Sequence, residues 1–247
     1  MLISSHLNKY RQTILELPED TMLSKADLLA SDLLMKRSGL LEMYYAPHNE
    51  YVNPAAKVVI IGITPGWTQM RIALQAAKAG LKAGLSDEAV CRLAKEAAGF
   101  AGTMRTHLID MLDGLELHRY LGAGSCGDLF QDQHELLHTT SLLRFPVFVA
   151  GNNYNGTHPR LLSNPFLNQT ALRSLQDELS LMNQPLIIPL GKNVEQVLQQ
   201  LAADGVLDAG DCLWGFPHPS GANGHRHMQF ASHQESMRNK IRALSGK

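Results

Sequence analysis

Cysteine is scarce in this 247-residue chain: Cys91, Cys126 and Cys212 stand far apart and form no C-x-x-C pair. That excludes a disulfide scaffold, argues against a zinc or iron–sulfur centre made from cysteine alone, and suits a reducing cytoplasm. An excess of one charge is also missing, with 22 Lys+Arg against 23 Asp+Glu and a formal net charge of −1. A surface that grips nucleic acid all over is basic, so any DNA contact here is local. The 11 histidines add cationic capacity beside a phosphate. No apolar run approaches a membrane span, and "MLISSHLNKYRQTILELPED" lacks the basic-then-apolar order of a secretory signal. The expectation is a soluble, cytoplasmic protein with no membrane contact and no obligate protein partner.

What is present is alternation. "KVVIIGI" (57–63) is β-branched and apolar throughout, the pattern of a strand covered on both faces. "LLHTTSLL" (136–143), "PLIIPLG" (185–191) and "DCLWGFP" (211–217) are three further candidate strands. Helical periodicity fills the intervals, as in "MRIALQAAKAGLKAGLSDEAVCRLAKEAA", "TMRTHLIDMLDGL", "QTALRSLQDELSLM" and "VEQVLQQLAADG". This predicts a three-layer α/β/α fold around a central, mainly parallel four-stranded sheet. The leucine spacing of "DLLASDLLMKRSGLL" predicts a helical N-terminal extension over 1–56, packed on an α/β core over 57–247 in a single domain.

Ligands of open α/β sheets sit beyond the C-terminal ends of the strands. Those ends carry "TPGW", "SLLRFPVFVAGNNYNG", "GKN" and "HPSGANGHR". In the last segment Pro217 and Pro219 bracket His218 and restrict its backbone, and glycines follow. "GITPG" (62–66) together with "HPSGANGHR" (218–226) resembles the two signature motifs of the uracil-DNA glycosylase superfamily. The order, the wide spacing and the strand-end placement agree over roughly residues 57–230.

The resemblance implies a monofunctional DNA glycosylase that flips a base from the helix and hydrolyses its N-glycosidic bond. It implies His218 as the donor that meets the negative charge on the departing base. Thr64 stands where relatives place the aspartate or asparagine that activates or orients water, and a threonine hydroxyl is no base near neutral pH. Gly62, Ile63, Pro65, Gly66, Trp67 and Gln69 would line the base pocket. Gly66 replaces the tyrosine that excludes 5-substituents, which points to a 5-substituted or otherwise enlarged pyrimidine. The base-reading asparagine has no counterpart in "HTTSLL". Ser141, Phe145, Asn152, Asn153 and Tyr154 are the candidates to read or stack on the base.

Lys192, Ser220, Gly221, Ala222, Asn223, His225 and Arg226 would hold the flanking DNA phosphates, with Arg105 as a further candidate. Ala222 takes the place of an inserted leucine and is too small to fill the vacated stack alone. No cofactor and no metal are expected. His107, His118, His134 and His138 read as core or surface residues, and His158 as a minor candidate. The role would be base excision repair or defence against modified foreign DNA. Two alternatives stay open: a catalytically inactive base-binding module, and a hydrolase of free nucleosides or nucleotides.

Overall fold

The computed structural model describes residues 1–18, 23–29 and 31–245. It is a mixed α/β protein, 51% helical, whose chain divides into two compact units. Unit 1 comprises Met1–Val52, Ile63–Gly99 and Ser141–Glu178, and unit 2 the segments between and after them.

In chain order the helices are α1 (His6–Glu16), α2 (Lys25–Leu28), α3 (Trp67–Lys82), α4 (Asp87–Ala98), α5 (Thr103–Gly114), α6 (Leu117–Leu121), α7 (Pro165–Leu179), α8 (Lys192–Ala203) and α9 (Arg226–Ser245). The strands are β1 (Leu34–Ser38), β2 (Leu41–Tyr44), β3 (Val58–Gly62), β4 (Leu137–Ser141), β5 (Val147–Val149), β6 (Asn152–Asn153) and β7 (Leu186–Pro189).

Unit 1 is built on α3 and α4. Met70, Ala73, Leu74, Ala77 and Leu81 of α3 recur three or four residues apart, as do Val90, Cys91, Ala94 and Ala98 of α4, and all are buried. Ser86 starts α4 by accepting the Ala89 N–H at 3.3 Å. An antiparallel sheet in the order β1-β2-β5-β6 belongs to the same unit.

This sheet corrects the helical reading of the N-terminal segment, of which residues 19–22 and 30 lie outside the described residues. Leu41 and Met43 of β2 alternate inward and are buried, whereas Leu40 at the turn is exposed. The chain reverses at Gly39–Leu40, and pairing of β2 with β5 decides in favour of the two-residue period.

Unit 2 carries the parallel sheet, in the order β4-β3-β7. β3 is buried at every position and pairs with β7 from Val58–Leu186 to Ile61–Pro189. Its apolar neighbours include Leu108, Met111 and Leu112 of α5 and Met237 and Ile241 of α9. α9 also completes the end of α5: Gln234 and Arg238 both donate to the Gly114 carbonyl, at 3.0 and 2.7 Å, which satisfies an orphan helix-end acceptor.

The expected fourth parallel strand does not form. Segment 211–217 makes a single parallel bridge, Cys212 to Ile187, supported by the Leu213 N–H to Ile187 carbonyl bond of 2.8 Å. The chain then turns at Gly215, whose φ is +90°, and Pro217 has no N–H to continue a ladder.

A Cβ on Gly215 would lie 2.6 Å from the His233 ring. Gly215→Ala should therefore lose roughly 2–3 kcal/mol in urea unfolding, from strain and overlap together. Adding His233→Ala should recover only part of the overlap, because the Cβ of residue 233 itself lies 2.9 Å from the new Cβ.

Candidate functional site

Each unit holds one set of the predicted site residues. In unit 1, Thr64 is tied on both sides. Its hydroxyl donates to the Phe145 carbonyl at 3.0 Å and accepts the Val147 N–H at 3.0 Å. One acceptor lone pair is left, enough to hold a water and not to deprotonate it.

Gly66 caps α3 without a side chain, and two neighbours supply what it lacks. Gln69 accepts the Gly66 N–H at 3.1 Å, and Asn153 accepts the Trp67 N–H at 2.9 Å. Asn153 thus serves as a remote helix cap. Tyr154 is buried, donates to the Pro159 carbonyl at 2.6 Å, and has its phenol pushed up to about 12 by desolvation. Phe145 packs edge-on to His6 at 5.5 Å. Ser141 is buried at the end of β4, Pro65 is buried, and Asn152 is exposed. The 141–154 candidates are therefore mostly engaged in holding the loop that follows β4.

In unit 2 the His218 loop is organised by its own side chains. The Ser220 N–H reaches His218 Nδ1 at 3.3 Å, which makes Nδ1 an acceptor and leaves the proton of the neutral ring on Nε2. Burial lowers the His218 pKa below 6.5 and so favours this neutral ring.

Asn223 is the hub of the loop. Its amide nitrogen donates to the His218 carbonyl at 3.1 Å and to Gln229 Oε1 at 2.9 Å, and its oxygen accepts the His225 N–H at 3.3 Å. Gly191, which ends the segment after β7 and has a φ of +87°, comes against His218: a Cβ there would lie 3.1 Å from His218 Cβ. The Gly191 N–H also bonds the Phe216 carbonyl at 2.9 Å. The ends of two sheet segments therefore meet at the histidine.

Sequence reasoning missed His107 of α5. Its Nδ1–H donates to the Pro219 carbonyl at 3.0 Å, and its Nε2 faces Arg226 Nη2 at 3.4 Å. The signal available was its place beside the apolar stripe of Leu108, Met111 and Leu112, which marks a boundary position without naming a partner. Arg226 Nε is buried with no hydrogen-bond partner among the described residues. Lys192 at the start of α8, Gly221, Ala222 and His225 are exposed. Arg105 does not join them, because its guanidinium lies over the Phe130 ring at 5.1 Å.

Unit 1 also contains a buried polar network that no motif announces. Lys95 donates to Asn49 Oδ1 at 3.2 Å, and Asn49 donates to the Arg144 carbonyl at 3.0 Å. Arg144 pairs with Glu178 at 3.8 Å. Desolvation pushes Lys95 down to about 8. It also pushes His48, whose ring nitrogens have no partner among the described residues, down to about 3, with the Lys95 charge adding to the effect.

No family profile matches the chain and no solved structure resembles it. It is 40% identical over 242 residues to the uncharacterized protein YoxB of Bacillus subtilis (strain 168), covering 98% of this chain and 94% of that protein. The chain belongs to the YoxB family. Alignment over almost the whole of both proteins means that the family shares both units and not only the motif-bearing segments.

Two outcomes are expected. Asn153→Ala should cost about 1 kcal/mol of stability through the lost cap of α3, measured by urea unfolding. His48 should make the protein acid-sensitive: its folded pKa is depressed, so the stability it contributes is fully present above pH 6.5 and is lost as pH falls toward 3. His48→Leu should flatten the decline between pH 7 and 5 by roughly 2 kcal/mol, from 1.36 kcal/mol per unit.

Proposed function

We propose that the chain is a DNA glycosylase that hydrolyses the N-glycosidic bond of a flipped, modified pyrimidine. The observation that carries the reading is the placement of His218: it is held against the segment after β7, its Nδ1 accepts the Ser220 N–H, and burial lowers its pKa, which together favour a neutral ring with its proton on Nε2. When the bond from the base to the sugar C1′ breaks, the electron pair leaves with the base. The Nε2–H of the neutral imidazole donates a hydrogen bond to that developing anion. Water forms the new bond to C1′, its proton passes through solvent to the departing base anion, and an abasic site remains. Within unit 1 the Thr64 hydroxyl keeps one acceptor lone pair, which can hold a water but not deprotonate it.

The preference for a 5-substituted base rests on the resemblance at Gly66; in the structure the Asn153 amide lies 3.3 Å from where a Cβ of residue 66 would stand. His225 and Arg226, beside the exposed Gly221 and Ala222, form a local basic surface for the flanking phosphates. A local contact suits a chain whose net charge is −1. The proposal includes a layered α/β/α arrangement and a cytoplasmic role in base repair or in defence against modified foreign DNA. Among the described residues no helix is long and apolar enough to cross a membrane.

Oligonucleotides carrying assorted modified pyrimidines should acquire alkali-labile abasic sites, and His218→Ala should lower the rate about 10²–10³-fold. Because the reactive ring is neutral, activity should persist below pH 6.5 and fall only as pH drops through the depressed His218 pKa. Tight binding without base release would instead favour a binding module. Release from free nucleosides, indifferent to salt, would favour a nucleoside hydrolase.

A further inference from the structure

At the far end of α5 from the histidine loop, three different donors converge within unit 2. We propose that Asp113, His118 and Cys126 form a binding site for a divalent transition-metal ion of the zinc class. One ligand atom from each residue lies within 4.8 Å of the other two. His118 Nδ1 is 3.0 Å from Asp113 Oδ1, yet this buried nitrogen makes no hydrogen bond. The Cys126 thiol bonds the Asp113 carboxylate, so a thiol, an imidazole and a carboxylate gather at one point where a common ion could replace their present contacts.

The backbone holds the three side chains in place. Asp113 stands one residue before the end of α5, and His118 lies in α6. Between them Glu116 adopts a left-handed conformation, φ 61°, that folds α6 back on α5. Cys126 follows in the next loop, where its N–H donates to Asp113 Oδ1 at 2.7 Å and so orients the carboxylate. Asp128 fixes the same loop by accepting the Gly124 and Ser125 N–H groups at 2.9 and 3.1 Å. Ala123 N–H closes it onto the His118 carbonyl at 2.9 Å. A carboxylate already hydrogen-bonded from behind is the support that metal sites use.

The donor set selects the ion. Thiolate and imidazole prefer zinc, cobalt(II) or nickel(II) over magnesium and calcium, which take oxygen ligands alone. Tetrahedral bonds of about 2.0–2.3 Å place donors roughly 3.3–3.8 Å apart, so the widest pair, at up to 4.8 Å, closes by about 1 Å when an ion binds. Access is available: Cys126 is fully buried, but the side chains of His118 and Asp113 are 19% and 32% exposed. Solvent can therefore supply the fourth position. As the metal–sulfur bond forms, the thiol proton passes to solvent, and nothing is oxidised or reduced.

Cobalt(II) titrated into the metal-stripped full chain tests the site. The expected result is one equivalent bound, with a thiolate-to-cobalt charge-transfer band that zinc displaces. Cys126→Ser should abolish the band, whereas Cys91→Ser and Cys212→Ser should leave it. His118→Ala, at a partly exposed position and checked for fold by circular dichroism, should weaken binding at least about tenfold. Zinc should raise the unfolding temperature of the parent and not of His118→Ala. No thiolate band, a band that survives Cys126→Ser, or unchanged affinity in His118→Ala would overturn the site and leave an ion-independent hydrogen-bonded trio. If Cys126→Ser fails to fold, the His118→Ala affinity decides. None of these readouts involves base release, so this site and the proposed activity stand or fall separately.

Discussion

The hydrogen bond from the Ser220 amide to His218 Nδ1 is the constraint on which the functional reading depends. A neutral imidazole has one donor and one acceptor, and whatever occupies one nitrogen determines the chemistry of the other. Here the backbone of a short Pro-bracketed loop occupies Nδ1, while desolvation keeps the ring from taking a second proton. Both effects favour a donor at Nε2. The surrounding structure preserves that loop: Asn223 ties its carbonyl side, Gly191 allows close approach, and His107 of α5 holds the following Pro219 carbonyl.

α5 connects these features within unit 2. Near its start His107 supports the histidine loop, and at its end the Gly114 carbonyl is completed by Gln234 and Arg238 of α9. Asp113 lies beside that end, six residues from His107, about 9 Å along the helix axis. An ion bound through Asp113 would therefore stiffen the turn on which α5 terminates. The helix is the physical link between the two proposals, although neither requires the other.

Much of the fold was legible because its signals are local. The β-branched run 57–63 became β3, the three- and four-residue spacing of apolar side chains became α3 and α4, and "PLIIPLG" contained β7. The errors came where a second signal competed or where distant partners decided. In 34–44 the leucines fit two periods, and pairing of β2 with β5 settled the matter. In 211–217 an apolar run looked like a strand, but Gly215 and Pro217 end its ladder after one bridge. The C-terminal helix α9 escaped notice because only Met237 and Ile241 are buried among its described side chains.

The candidate site divides in the same way. Rigid placement of His218 was readable from its two prolines, whereas the roles of Asn153 and His107 were not, since each depends on a contact across more than eighty residues of chain. Asn153 looked like a base reader and is a helix cap. His118 looked like a scattered histidine and stands among metal-type donors, because a turn at Glu116 brings it beside Asp113. The most direct test of the central claim is nitrogen-15 NMR of the His218 imidazole at pH 7. The account predicts a neutral ring with its proton on Nε2; a ring protonated on Nδ1, or on both nitrogens, would contradict it.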